Sequence, residues 1–339
     1  MQTVNTADWQ QQLKDTTHTI ESLAQLLHLP LSALTAQLQH TRFPIKATRS
    51  YLSRIQPGCL NDPLLLQILP HPDEPPKSAQ FAQTTPGFST DPLQESRYNP
   101  VPGLLHKYHN RALIMPTGAC AIHCRYCFRQ NFPYTDHTVG PAGRKAQVDY
   151  LQSHPEINEV ILSGGDPFVL PDDSLKKWIA DLETIPHLKI LRFHSRIPIV
   201  LPDRISDAFV RVLENSRLHR VIVTHCNHPQ ELNDDIAQKI KKLKNIGCTI
   251  LNQSVLLNQV NSTPEILVVL SQTLFDTGIL PYYIHLLDPV SGSQRFTVPA
   301  DRIQILMHEV RKQLPGYLNP QWVQEVPGMP YKHPVMLNI

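Results

Sequence analysis

No apolar run in the 339-residue chain reaches the roughly 18–20 residues a membrane span needs. The first residues, Met1-Gln2-Thr3-Val4-Asn5, lack the basic-then-apolar order of a secretion signal. Charge imbalance is also lacking: the net charge is +2, which argues against nucleic acid or an anionic membrane surface as partner. Glycine is scarce at 13 residues against 31 prolines. Many of those prolines precede residue 103, so short helices joined by rigid turns are expected there. Six cysteines in a chain with these features favour metal or catalytic use over a disulfide framework, and a cytoplasmic location is expected.

One further absence is local. Cys120, Cys124 and Cys127 stand in a C-x3-C-x2-C run, Cys120-Ala121-Ile122-His123-Cys124-Arg125-Tyr126-Cys127, with no fourth cysteine nearby. A structural zinc or an electron-transfer cluster fills all four of its positions. Three thiolates leave one open, the signature of a centre that reacts. A zinc site completed by His123 or by a distant residue is the other reading.

Residues 1–100 read as a helical N-terminal region, with Ile20, Leu23, Leu26 and Leu27, then Leu31, Leu34 and Leu38, at helical spacing. Asp8, Thr19 and Ser32 are candidate caps or first-turn residues. A long irregular arm over 77–98 follows, and the sequence assigns no role to either part. From about residue 110 apolar strands alternate with amphipathic helices. Strands are expected at 112–115, 159–162, 188–193 and 221–223, then from 249 and at 282–284. Helices are expected at 143–153, 172–184, 203–215, 230–246, 263–276 and 300–313, with Asp172, Asp203 and Thr263 as caps. Such alternation means parallel pairing through right-handed crossovers, in an open sheet or a partial barrel.

Polar residues close one strand after another: Thr117, Ser163-Gly164-Gly165-Asp166, His194-Ser195-Arg196, Thr224-His225, Asn252-Gln253, His285 and Asp288. A site assembled from all strand ends is what a barrel mouth provides. The expected fold is a partial (β/α)6 TIM-type barrel over 101–315, preceded by the helical region and followed by a C-terminal segment, 316–339.

The cysteine triplet after the first strand of such a barrel resembles the radical S-adenosylmethionine superfamily. The resemblance implies a [4Fe–4S] cluster on Cys120, Cys124 and Cys127, with S-adenosylmethionine on the unligated iron. It implies S-adenosylmethionine contacts from Ser163, Gly164, Gly165 and Asp166, and from His225 and Gln253. The tail Glu325-Val326-Pro327-Gly328-Met329-Pro330-Tyr331-Lys332-His333-Pro334-Val335-Met336 is similar to the pyridoxal phosphate segment of the lysine 2,3-aminomutase family. That likeness makes Lys332 the Schiff-base lysine and catalytic residue, Arg111 the phosphate clamp and Arg129 the clamp for the substrate carboxylate. It makes Asp288 and Glu325 the pair that binds the ε-ammonium of L-lysine.

Departures accompany the match. Glu325 replaces an aspartate, Met329, Pro330 and Tyr331 replace glycines, and Gln130 and Asn131 replace arginines of the fermentative enzymes. The zinc-binding tail of those enzymes has no counterpart, so their oligomeric state does not carry over. Cys59, Cys226 and Cys248 are expected to be small buried residues. The tail resembles the bacterial subgroup that makes (R)-β-lysine for modification of elongation factor P. The implied partners are a reducing electron donor, a lysyl-tRNA-synthetase-like ligase and the factor itself. An aminomutase for another amino acid, or a zinc-binding module without activity, are the alternative functions.

Overall fold

A computed structural model describes residues 9–35, 43–71, 74, 86–137 and 139–337. Its centre is one nine-stranded sheet whose strands lie in chain order. They are β1 (Leu104–Tyr108), β2 (Arg111–Thr117), β3 (Glu159–Gly164), β4 (Ile190–Ser195), β5 (His219–Thr224), β6 (Thr249–Val255), β7 (Leu280–His285), β8 (Gln321–Gln324) and β9 (His333–Pro334). Pairing is parallel from β2 through β8, while β1 and β9 are antiparallel to their neighbours. The crossovers carry α1 (Pro141–Gln152), α2 (Asp172–Glu183), α3 (Asp207–Glu214), α4 (Asp234–Asn245), α5 (Pro264–Thr277) and α6 (Ala300–Gln313). Because strand order never reverses, there is no switch point, and right-handed crossovers set every helix on the same face.

Contacts between opposite ends of the sheet show how far it curls. In a flat sheet β1 and β8 would lie seven strand spacings of ~4.8 Å apart, on the order of 34 Å. Instead Lys107 of β1 places Nζ 3.0 Å from Oε2 of Glu325, the residue after β8. The sheet is therefore rolled into a partial barrel, as the strand-end pattern predicts.

The helices follow from apolar spacing. Leu175, Trp178, Ile179 and Leu182 form the buried stripe of α2, and Ile303, Leu306, Met307 and Val310 that of α6. Each such side chain contributes roughly 1.5–3 kcal/mol on burial. Thr263 caps α5 as expected, with its side chain accepting from Ile266 N, and Thr19 caps an N-terminal helix. Two expected caps differ. Asp203 lies in a preceding turn and pairs with Lys239, while Ser206 caps α3 because its hydroxyl reaches Phe209 N. Asp172 is the first residue of α2, after Pro171. Ser32 lies inside a short helix, Leu31–Thr35, and Asp8 and Leu38 fall outside the described residues.

The N-terminal region is not a separate preface. Leu23, Leu34, Tyr51, Leu64 and Ile68 share one buried cluster with Ile197, Val200 and Phe209 of the barrel. Of the expected irregular arm, 77–85 fall outside the described residues, and Glu95–Tyr98 form a 3-10 turn. The sequence left the role of these regions open; in the structure they support the cysteine loop and bring Glu95 to Arg129. Among the described residues no helix is long and apolar enough to cross a membrane.

Candidate active site

The cysteine loop leaves the C-terminal end of β2 and is held from below by the N-terminal region. His123 N donates to Lys46 O at 2.9 Å and Arg125 N to Gln67 O at 2.9 Å. The buried Arg125 guanidinium reaches Glu74 and Phe43 O. His123 turns away from the thiols: Nδ1 lies 2.9 Å from Pro44 O and the ring stacks on Phe43 at 4.1 Å. Burial lowers its pKa to about 4.

Burial holds the Cys120 thiol far above its ordinary value and Cys127 at about 12, and Cys124 lies close enough to both to add to the rise. Among the described residues no three His, Cys, Asp or Glu side chains converge on a single-ion site. A cubane differs from a single ion in taking one thiolate per iron, so its sulfurs stand apart across the cluster. Three neighbouring soft ligands on one loop fit that arrangement. One buried donor already faces the loop, Arg196 Nη1 at 2.7 Å from Cys124 Sγ. Arg196 Nη2 donates to Glu231 Oε2 at 2.8 Å and to Gln67 Oε1 at 2.7 Å, while Nε is buried without a partner among the described residues.

Gly164 and Gly165 bring the backbone close to the approach to the cysteine loop. A Cβ on Gly165 would lie 2.3 Å from Ala119 O, and one on Gly164, at φ +98, 2.7 Å from Thr117 O. Asp166 is likewise turned inward. Oδ1 accepts from Ser195 Oγ at 2.7 Å and Phe168 N at 3.0 Å, and Oδ2 accepts from Arg196 N at 2.7 Å. Burial outweighs these donors and raises its pKa to about 6. Its carboxylate ties β3 to β4 beneath the loop. His225 is half-buried with Nε2 2.9 Å from Tyr126 OH, and desolvation lowers its pKa to about 3, so the ring is neutral. Gln253 is half-buried on β6, in register with Tyr283.

The tail and the barrel meet at Glu325. Lys332 Nζ lies 2.5 Å from its Oε1, and Tyr108 OH lies 2.9 Å from its Oε2. Burial pushes Glu325 up, but Lys332 and Lys107 outweigh it and bring the pKa to about 2. Asp288, next to the same lysine, is dominated by burial and rises to about 7, with Glu325 adding to the rise. The two carboxylates thus differ: one is ionised throughout, the other titrates near neutrality. Arg111 does not touch Lys332. It lies 4.3 Å above the Tyr108 ring, and Tyr108 links it to Glu325 and so to Lys332.

Arg129 is buried and bonded to Glu95 through Nε at 2.8 Å and Nη2 at 2.7 Å. Burial works against its charge, yet the Glu95 carboxylate holds it above the ordinary arginine range. His194 and His285 face the same interior, each with a buried Nε2 lacking a hydrogen-bond partner. Burial keeps both rings neutral, and Lys332 depresses them further. Sequence reading missed Glu95, Lys107 and Tyr108 as site residues. Strand β1 was not expected, although Pro102-Gly103 before an apolar pair was available as its signal.

A sequential, one-sided parallel barrel with three cysteines at the mouth of its first parallel strand is the arrangement that the resemblance to the radical S-adenosylmethionine superfamily implies. No family model matches the chain. Curated relatives do. An L-lysine 2,3-aminomutase of Escherichia coli (strain K12) is 41% identical over 341 residues, covering 100% of this chain and 97% of that protein. One from Haemophilus influenzae is 41% identical over 326 residues, covering 96% and 94%. One from Clostridium subterminale is 34% identical over 334 residues, covering 98% and 78%. The chain belongs to the L-lysine 2,3-aminomutase family.

Proposed function

We propose that the protein isomerises L-lysine to (R)-β-lysine, moving the amino group from C2 to C3, with a [4Fe–4S] cluster, S-adenosylmethionine and pyridoxal phosphate. The observation that carries this reading is the ammonium of Lys332 held 2.5 Å from Glu325 beside Asp288. A carboxylate that holds one primary ammonium, with a second carboxylate close enough to feel its charge, is matched to the side chain of lysine. Family membership supports the same substrate.

When bound, the cluster and S-adenosylmethionine supply hydrogen abstraction, and pyridoxal phosphate supplies the group that carries the migrating nitrogen. Cys120, Cys124 and Cys127 would hold the cluster. Ser163, Gly164, Gly165, His225 and Gln253 would flank S-adenosylmethionine, with Asp166 acting through the backbone it holds. Arg111 would take the phosphate as a fork-shaped donor, and Lys332 the aldehyde of the cofactor. Arg129 would bind the substrate carboxylate, with Asp288 and Glu325 at the other end. Two-point binding fixes C3 in one place, which is the protein's share of the catalysis.

Anaerobically reconstituted protein given reductant and S-adenosylmethionine is expected to convert L-lysine to β-lysine, read by chromatography of the derivatised amino acids. No conversion, with cluster and pyridoxal phosphate both present, sinks the substrate assignment. The likeness of the tail to the elongation factor P subgroup supports use of the product by a lysyl-tRNA-synthetase-like ligase. Addition of that ligase and the factor should then yield a β-lysylated factor by mass spectrometry.

A further inference from the structure

We propose that Glu95 is a positioning residue for substrate recognition, fixing the Arg129 guanidinium so that one edge is presented to the substrate carboxylate. The proposal rests on the reading of Arg129 as the carboxylate clamp.

A guanidinium has five N–H donors. Glu95 takes the side edge, Nε and Nη2, at 2.8 and 2.7 Å. Nη1 reaches Ser163 Oγ at 3.3 Å, and the Phe128 ring lies 4.7 Å from the guanidinium carbon. With Glu95 on the side edge, the end edge between Nη1 and Nη2, beside the Ser163 hydroxyl, is the second place where an arginine can pair bidentately with a carboxylate. Glu95 and a substrate carboxylate can therefore bind together. The first is a fixture of the protein and the second arrives with the ligand.

The carboxylate is itself held in place. Glu95 opens a 3-10 turn, and its N donates to Asp91 Oδ1 at 3.2 Å. The arm that leads there is pinned to the loop after β7: Ser89 N donates to Pro289 O at 2.9 Å and Ser291 N to Ser89 O at 2.9 Å. That loop carries Asp288. The same short arm thus connects the two ends of the proposed substrate site, and the N-terminal region acquires a part in recognition.

The test uses protein loaded with cluster and pyridoxal phosphate, without reductant, titrated with L-lysine or L-lysinamide and followed by the pyridoxal absorption band. Misplacing the guanidinium by about 1 Å should weaken L-lysine binding roughly 10-fold in Glu95→Gln and ~100-fold in Glu95→Ala. The preference for L-lysine over L-lysinamide should shrink in parallel. Under turnover, KM should rise more than kcat falls, and Glu95→Asp should recover part of the affinity. Unchanged or tighter lysine binding in folded Glu95→Ala overturns the proposal. So does a lowered melting temperature with the lysine-over-lysinamide preference intact, which would make the pair structural. If Arg129→Lys keeps that preference, the carboxylate-clamp reading itself fails, and the proposal with it.

Discussion

Lys332 and Glu325 are seven residues apart in sequence and 2.5 Å apart at Nζ and Oε1. The turn between them contains Gly328 at φ +86, in the left-handed region that favours glycine. Glu325 keeps two other partners, Lys107 at 3.0 Å and Tyr108 at 2.9 Å, so loss of the lysine does not strand its charge. Lys332→Ala is therefore expected to fold and to retain its iron. The pyridoxal absorption band should vanish. Loss of iron as well would show that Lys332 holds the structure rather than the cofactor.

Glu325→Gln keeps the shape of the side chain and removes its charge. A hydrogen bond to a charged group contributes about 1.5–3 kcal/mol, so affinity for L-lysine should fall roughly 10- to 100-fold. Affinity for L-norleucine, which lacks the ε-ammonium, should barely change. Equal losses for both ligands would remove Glu325 from the ammonium site.

Asp288 carries a pH signature. Its folded pKa is raised to about 7 from an ordinary 3.8, chiefly by burial. The folded state therefore binds the proton more tightly. The stabilisation is fully present below the ordinary pKa and is lost as pH rises through about 7. Asp288→Asn cannot ionise, so it should gain on the unsubstituted protein between about pH 4 and pH 7 by on the order of 2–4 kcal/mol. Above that range the difference should be constant. Urea titrations of the two proteins across pH measure it, and parallel curves would refute the assignment. Lysine binding should move the other way, strengthening as Asp288 ionises.

Two glycines make opposite demands. A Cβ at Gly165 would lie 2.3 Å from Ala119 O and 2.6 Å from Gly118 C, both backbone atoms of the cysteine-loop approach. Gly165→Ala is expected to displace that loop and reduce iron per chain. A Cβ at Gly328 would meet nothing within 4 Å, and only the φ of +86 resists substitution. Gly328→Ala should cost about 1–2 kcal/mol of local backbone energy and leave the iron content unchanged. Iron analysis of both variants checks the contrast.

Periodicity alone marked the six helices of the barrel, and strand ends such as Ser163, Ser195 and Thr224 marked its mouth. These signals are local, because each element buries a stripe or run read directly from neighbouring residues. Cys120, Cys124, Cys127 and Lys332 stood out as candidates for a related reason: soft ligands at short spacing and a lysine in a patterned tail are visible in sequence. What the chain could not show was which opposite charges would meet. Glu95 pairs with Arg129 across 34 positions, and Lys107 with Glu325 across 218. Such pairs depend on how far the sheet curls, a sum of small twists over many strands. The tertiary structure likewise turned the Asp166 carboxylate inward and set the glycines against the cysteine loop. The sequence by itself determined the helices and the strands, and it marked the cysteine loop and the tail lysine as candidates. Only the closed curvature of the sheet decided which residues hold them in place.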